Sequence, residues 1–377
     1  MWKYVFPGIA MIGVTYAFAR FSFGLFLPNI SESLDLSEGD AGLVSSTAYV
    51  AYTLALISSA YLIWKYGHLR VIQFAGISAV IGLLGISLAP NLYVLVLATF
   101  IAGLGSGWSS PAFAQVASEL IVKKDRDKGN TWMNSGTSFG IIVSGPIALF
   151  FTEHWRLSFL LFTALALAVF IWNTYSIPTR NLDSRSKENS LTKREWLNSM
   201  KQAKFLFIAS AIVGLSSSVF WTFSRSLLSV VHNMSQFESV VFWILMGISG
   251  VIGGVGGGLI NRIGLSLSYR LTLLLMMISI FIITLSSQIT IYTSAIFFGI
   301  SYIFMTGILI VWATRIYKNF PSVGVSLSFL FLGIGQSFGS FLSGLTIDAL
   351  TYSVTFLVFS LLGLVGLVVP VKSKLAH

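Results

Sequence analysis

The strongest constraint on this chain is a series of long apolar runs with few charged residues inside them. About 20 consecutive apolar residues span the hydrocarbon core of a bilayer, so each such run predicts a transmembrane helix. Of the 377 residues, 55% are hydrophobic and only 10% are charged, too few to cover a soluble protein of this size. The sequence predicts an all-α membrane protein with twelve spans, near residues 5–27, 40–63, 70–89, 92–121, 130–151, 157–177, 204–230, 238–260, 269–287, 290–314, 322–347 and 351–370.

Lysine and arginine are distributed very unevenly around these spans. With the N-terminus placed in the cytoplasm, 20 of the 23 basic residues lie in or beside cytoplasmic loops, and the exceptions are Arg20, Arg156 and Arg225. By the positive-inside rule, this bias predicts that both termini are cytoplasmic. The net charge of +10 is therefore a topology signal rather than a nucleic-acid-binding patch. We expect a multi-pass protein of a cytoplasmic membrane, surrounded by lipid and monomeric.

The longest polar segment follows the sixth span. Residues 178–203 are rich in Ser, Asn, Lys and Arg, which is typical of a linker. This segment predicts two six-helix bundles, residues 1–177 and residues 204–377, joined by a cytoplasmic linker.

Three short patterns recur in the two halves, at offsets of 197 to 205 residues. Each recurs in the corresponding element of its half, so together they indicate an internal duplication. Duplicated halves are common in alternating-access transporters. The pairs are Asn134-Ser-Gly136-Thr-Ser-Phe-Gly140 with Gly333-Ile-Gly335-Gln-Ser-Phe-Gly339, Lys65-x-Gly67 with Arg262-x-Gly264, and Tyr16-Ala-Phe18-Ala-Arg20 with Trp221-Thr-Phe223-Ser-Arg225.

These patterns resemble those of the major facilitator superfamily. The run Gly257-Gly-Leu-Ile-Asn261-Arg262-Ile-Gly264 is similar to the loop motif of that superfamily in its second-half form. The run Gly136…Gly140…Gly145-Pro146 is similar to its antiporter motif, and Arg20-Phe21-Ser-Phe-Gly24 resembles the bacterial YbfB/YjiJ-type branch. The resemblance covers the whole chain. It implies two pseudo-symmetric six-helix halves and transport by alternating access.

The loop motifs supply the candidate gating residues. The resemblance implies that they stabilise one conformation at the cytoplasmic face, and simple anchoring of the loops by positive charge is the alternative. Trp64 stands where the first-half motif of the family carries an acidic residue. The candidates are Lys65, Gly67, Arg70, Asn261, Arg262 and Gly264.

Two arginines lie inside predicted spans. A central arginine costs about 2.5–3.5 kcal/mol on insertion scales, and such residues usually face a bundle interior or a water-filled cavity. Snorkelling of Arg20 and Arg225 to the outer interface is the alternative. The resemblance implies that the first and seventh helices line a central cavity, so we expect these two arginines, which occupy matching positions of the repeat, on opposite sides of one site. Guanidinium groups match carboxylate, phosphate and sulfonate oxygens, so the site would bind an anion, with Tyr16 and Trp221 shaping it.

Other polar residues are weaker candidates for the substrate site, with helix packing as the alternative for each. They are Trp108 and Gln115 in the fourth span, Tyr302 in the tenth, and Asn134 and Gln336 in the repeated glycine segments. No Asp or Glu lies deep within a predicted span. Glu119, near the inner end of the fourth span, is the candidate for proton coupling, and pairing with Lys123 or Arg126 is its alternative.

The sequence lacks cysteine, a nucleotide-binding loop, a metal-ligand cluster and a nucleophile constellation, so we expect no enzyme activity, cofactor or metal. The function predicted is secondary active or facilitative transport of a small organic anion. One alternative is a proton-coupled exporter of hydrophobic or cationic compounds. The other is a non-transporting receptor or lipid-handling protein with the same fold.

Overall fold

A computed structural model describes residues 1–151, 154–179, 200, 203–254, 257–317 and 321–371. Each predicted span coincides with one helix or with two or three consecutive helical segments, which confirms the all-α fold. Numbered by span, they are α1 (Trp2–Leu34), α2 (Glu38–Tyr66), α3 (His68–Leu88), α4 (Leu92–Leu120), α5 (Arg126–Asn134 and Gly136–Phe150), α6 (Trp155–Ser176), α7 (Lys204–Val230), α8 (Gln236–Gly254 and Gly257–Ile263), α9 (Leu265–Ile282), α10 (Gln288–Ile316), α11 (Pro321–Ala349) and α12 (Tyr352–Leu364, then a 3-10 turn Val365–Val368).

Ten of the described helices are long and apolar enough to cross a membrane. The other two spans are α5, which is interrupted at Ser135, and the shorter α12. Most of the predicted linker lies outside the described residues, so the division into two bundles with a linker stays a prediction. We call the end of the molecule that carries Trp2 and Tyr66 the inner end, because the charge bias predicts that it faces the cytoplasm. The opposite end is the outer end.

The first span is not a regular α-helix. Residues Gly13–Phe21 form a π-helix between two α-helical segments, Trp2–Ile12 and Ser22–Leu34. π-Helical segments are rare and are found frequently at functional sites. The regular 3.6-residue period assumed from the sequence therefore fails here, and it fails in the segment that carries Tyr16 and Arg20.

The duplication is visible in the turns that follow α2 and α8. Gly67 has φ +82° and ψ 164°, and Gly264 has φ +84° and ψ 159°. Residues that carry a Cβ rarely adopt this backbone conformation, so both turns favour glycine. Two turns of the same geometry at matching places in the two halves agree with the repeat inferred from the sequence.

Glycines allow the halves to pack closely along three seams. A Cβ on Gly24 of α1 would overlap the carbonyl oxygen of Trp221 in α7. Gly42 of α2 lies against Gly344 of α11 in the same way, and Gly247 of α8 lies against Ile142 of α5. Small residues at such positions let helix backbones approach each other in a membrane. Close van der Waals packing therefore joins the two halves.

The described contacts between the halves are concentrated toward the outer end. Among the contacts made at glycines between the halves, the innermost are Thr53 with Gly333 and Ser138 with Gly250. These lie about a dozen residues from the inner ends of their helices, or about 18 Å at 1.5 Å per residue. The cross-half hydrogen bonds between described residues all lie near this level or farther outward. With the inner end in the cytoplasm, as the charge bias predicts, an inward-facing alternating-access carrier would show this arrangement of the described contacts.

Gly24→Ala should weaken the α1–α7 seam, because its methyl group has no space beside Trp221. Overpacking of this kind typically costs about 1–3 kcal/mol. We expect a lower midpoint of thermal unfolding in detergent and reduced transport. The matched control is Gly307→Ala in α10, where a Cβ would meet nothing within 4 Å. Equal destabilisation by both substitutions would contradict the assignment of Gly24 to a tight seam.

Candidate functional site

Arg20 lies in the middle of the molecule, inside a cage of aromatic rings. Its side chain is only 4% exposed. The centre of the guanidinium lies 5.2 Å from the ring centroid of Tyr16, 4.6 Å from Phe21, 5.0 Å from Tyr49 and 4.2 Å from Tyr52. Cation–π contacts of this kind contribute about 0.5–2 kcal/mol each. We call these four rings the aromatic cage.

A chain of hydrogen bonds connects Arg20 to the other half of the molecule. Arg20 Nη2 donates to Gln336 Oε1 at 2.9 Å, and Gln336 Nε2 donates to the Tyr302 hydroxyl at 3.0 Å. Gln336 is fully buried, and Tyr302 is 4% exposed. Residues of α1, α10 and α11 therefore meet at one point, and the site spans both halves.

Trp221 closes one side of this cluster. Its ring stacks on Phe21 at 4.2 Å between centroids and meets the edge of Tyr302 at 5.0 Å. The Trp221 side chain is 3% exposed, whereas Tyr16 is only partly buried. The structure thus brings together Arg20, Tyr16, Trp221, Tyr302 and Gln336, five of the nine residues that we predicted for the substrate site.

The guanidinium of Arg20 has unused hydrogen-bonding capacity. Nε and Nη1 are buried and form no hydrogen bond of regular geometry with a described residue, although the side chain of Tyr49 interacts with the guanidinium. These two nitrogens carry three of the five N–H donors of an arginine. No Asp or Glu of the described chain lies within ion-pair distance of Arg20. A buried cation with free donors and no counter-ion is the arrangement expected at an anion site.

Arg225 has a different environment from Arg20. Its Nη1 donates to the carbonyl oxygen of Leu25 and to Asn29 Oδ1 at 3.1 Å, and its Nε donates to Ser239 Oγ at 3.2 Å. Leu25 and Asn29 belong to α1, so Arg225 holds α7 against the outer part of α1. Arg225 is 3% exposed and shares none of the described partners of Arg20. The structure does not bring the two arginines into one set of contacts.

Three further candidates lie away from Arg20. Trp108 Nε1 donates to Ser58 Oγ at 2.9 Å, which joins α4 to α2. Gln115 Nε2 donates to Glu119 Oε1 at 2.6 Å, one turn along α4. Asn134 is exposed at the end of the first segment of α5. None of these three contacts the aromatic cage in this conformation.

The candidate gating residues lie at the inner end. Lys65 is exposed, with its Nζ over the rings of Tyr61 and Tyr66 of its own helix. Arg70 and Arg262 are also exposed, and the side chain of Asn261 lies outside the described residues. Gly67 and Gly264 form the two turns described above. The gating role of all six residues stays a prediction.

Glu119 pairs with a residue that the sequence analysis did not consider. Its Oε2 lies 3.0 Å from His68 Nδ1, and His68 Nε2 lies 3.0 Å from the carbonyl oxygen of Pro178. His68 is 1% exposed. Arg126, which we had weighed as a partner of Glu119, donates to the carbonyl oxygen of Ile121 instead. The pair connects the inner ends of α3 and α4 to the residue that begins the linker.

Asp348 is a second functional candidate that the sequence did not reveal, and it binds the start of α2. Its carboxylate accepts hydrogen bonds from the backbone N–H groups of Glu38, at 3.1 Å, and Gly39, at 2.8 Å. These are the first residues of α2, whereas Asp348 ends α11, so one half caps a helix of the other. An anion is favourable at a helix N-terminus. The sequence repeat compares matching positions of the two halves. It gives no signal for this contact, which joins the end of one helix to the start of a non-matching helix.

Comparison with known proteins identifies the family. The model of the Major Facilitator Superfamily matches residues 9–323. This chain belongs to the Major Facilitator Superfamily. The expected family is thus confirmed, and the chain is a multi-pass membrane transporter rather than an enzyme.

The relatives within the superfamily are distant and carry different names. The chain is 24% identical to the transcription regulatory protein OpdE of Pseudomonas aeruginosa, over 88% of this chain and 83% of that protein. It is 21% identical to the glucose transporter GlcP of Staphylococcus epidermidis, over 96% and 92%. It is 25% identical to the multi-drug resistance efflux pump PmrA of Streptococcus pneumoniae, over 81% and 79%.

Solved structures agree on the fold. A D-xylose–proton symporter superposes with a TM-score of 0.80 at 13% identity, covering 98% of this chain and 99% of the other. The nucleoside transporter NupG superposes with a TM-score of 0.74 at 13% identity, covering 97% and 96%. At this identity the likeness shows the fold alone.

Asp348→Ala should shift this carrier toward an outward-open state, because it removes the cross-half cap of α2. Loss of a helix cap costs about 0.5–2 kcal/mol. The chain has no native cysteine, so spin labels at Glu32→Cys of α1 and Val230→Cys of α7 would report the distance between the outer ends. We expect a longer distance to gain population in the variant.

The matched control for this experiment is Asp40→Ala. Asp40 also caps the start of α2, but its partner is Ser37 of the same half. Asp40→Ala should leave the distance distribution unchanged. An equal shift in both variants, or none in Asp348→Ala, would contradict the role of Asp348 in outer closure.

Proposed function

We propose that this protein transports a small organic anion across a bacterial cytoplasmic membrane by alternating access, with both termini in the cytoplasm. The observation that carries the proposal is the buried Arg20 guanidinium, whose Nε and Nη1 lack an acceptor in regular hydrogen-bond geometry and which has no counter-ion among the described residues. An anionic group of the substrate would supply both. The chemical class is a carboxylate, phosphate-type or sulfonate anion, because these match the donor geometry of a guanidinium.

The neighbours of Arg20 suggest how the rest of the substrate is held. Tyr16, Tyr302 and Trp221 would contact its body. Gln336 would orient the guanidinium through Nη2 and leave the other donors free. Because Arg20 lies in the first half and Gln336 and Tyr302 in the second, substrate binding would draw the halves together. Such coupling of binding to closure is what alternating access requires.

In this proposal Arg225 and Asp348 act at the outer gate. Both make contacts from the second half to the first in the inward-facing state, and these contacts must break for the outer end to open. The sequence led us to expect Arg225 as a substrate ligand, and its contacts instead favour a role at the outer gate. Lys65, Arg70 and Arg262 remain candidates for stabilising the opposite state at the inner end.

The proton-coupled exporter of hydrophobic or cationic compounds is the main alternative, and the name of the relative PmrA favours it. The Glu119–His68 pair would then be its proton-coupling group. Against it stands the chemistry of the site, since a buried guanidinium repels a cationic substrate. The name of the relative OpdE favours a regulatory membrane protein, in which the same pocket would bind an anion without moving it.

The direct test is transport by purified protein in proteoliposomes, with a panel of carboxylates, phosphonates and sulfonates. Arg20→Gln should abolish or strongly reduce transport of the accepted anion. Removing one partner of a buried charge pair costs about 2–5 kcal/mol, equivalent to more than tenfold in affinity. The matched control is Arg156→Gln, which removes an arginine bonded to Ser33 and Ala89 and distant from the aromatic cage.

The outcomes test the proposed site and distinguish the three functions. Undiminished anion transport by Arg20→Gln would overturn the proposed site. Transport of a cation, abolished by Glu119→Gln, would establish the exporter. Anion binding that depends on Arg20, without transport of any panel member, would establish the receptor.

A further inference from the structure

The number of cations available to the substrate can be counted in this structure. The contact shell of Arg20 consists of the aromatic cage, Gln336 and, through Gln336, Tyr302. All of these neighbours are uncharged, and tyrosine hydroxyls and an amide can donate hydrogen bonds to an anion without adding charge. Among the residues that the structure describes, the site therefore presents one positive charge.

The second intramembrane arginine does not add to that charge. Arg225 uses Nε and Nη1 to bind Ser239, Leu25 and Asn29, and this bonding holds α7 against α1 and α8. To reach an anion beside Arg20, its guanidinium would have to break its hydrogen bonds to Leu25, Asn29 and Ser239. That would remove the connection from α7 to α1 and α8, and losing hydrogen bonds between buried groups is unfavourable.

We infer that the substrate site selects univalent anions over divalent ones. This inference rests on the proposed function. A substrate with one negative charge neutralises Arg20 and leaves no net charge in the buried site. A dianion would leave one negative charge among aromatic rings, whose faces are themselves electron-rich, and burying an unpaired charge is strongly disfavoured. A neutral analogue would leave Arg20 unpaired and would also bind weakly.

Matched sets of ligands with the same body and different charge test this inference. One set is succinate, succinamate and succinamide, and the other is terephthalate, terephthalamate and terephthalamide. Their binding to the purified protein in detergent is measured by calorimetry at mildly alkaline pH, where every carboxyl group is ionised. We expect the monoanion of at least one set to bind at least about tenfold more tightly than its dianion and its diamide, since only it leaves no unpaired charge.

Two variants distinguish a change in the preference for monoanions from a general loss of binding. Arg20→Lys keeps one cation in the cage, so it should weaken binding while keeping the preference for the monoanion. Arg225→Lys alters the outer gate, so it should change the affinity for monoanion and dianion by the same factor. A change in their ratio in Arg225→Lys would show that Arg225 contacts the substrate and would overturn the inference.

The outcomes also separate this inference from the proposed function. Equal or tighter binding of the dianion would overturn univalent selectivity and leave anion transport standing. Binding of the diamide as tightly as the monoanion would refute the anion site. Absence of binding by every member of both sets would likewise refute the anion site and the inference that rests on it.

Discussion

The burial of Arg20 without a counter-ion in the described part of the chain is the constraint to which the central structure of this protein responds. A guanidinium in the middle of a membrane protein is unfavourable unless its charge and its N–H groups are compensated. The aromatic cage compensates part of the charge, and Gln336 accepts one hydrogen bond, but Nε and Nη1 form no hydrogen bond of regular geometry with a described residue. The compensation is incomplete in a way that an anion would complete. This incompleteness distinguishes Arg20 from Arg225, whose Nε and Nη1 donate to α8 and α1.

In the proposed function, the same residues would connect substrate binding with the conformational cycle. Arg20 and Gln336 join the two halves near the middle of the membrane, while Arg225 and Asp348 join them farther out. In the proposed cycle, reorientation would preserve the first connection and break the second. The glycine seams make this possible, because helix backbones in van der Waals contact can slide without separating large interlocked side chains. Gly24 is central here, since it lies against Trp221 one turn from Arg20.

Much of the fold could be predicted from the sequence, because its signals are local. Apolar runs gave the spans, and Gly67 and Gly264 marked two turns that need the same unusual backbone.

The site could be predicted only in part. Arg20, Tyr16, Trp221, Tyr302 and Gln336 come together, but the repeat suggested a symmetric pair of arginines that the structure does not show. The π-helical segment of α1 explains part of the difference, because the matching segment of α7 is a regular α-helix. The contacts of Asp348 with α2 and of Glu119 with His68 join distant parts of the chain, and no local pattern announces them.

The measurement that tests the account most directly is an anomalous diffraction map of crystals grown with a bromine-labelled monocarboxylate. The account predicts a bromine peak inside the site, with the carboxylate within hydrogen-bond distance of Arg20 Nε or Nη1. A carboxylate bound elsewhere, while both nitrogens of Arg20 are bonded to protein groups, would contradict it.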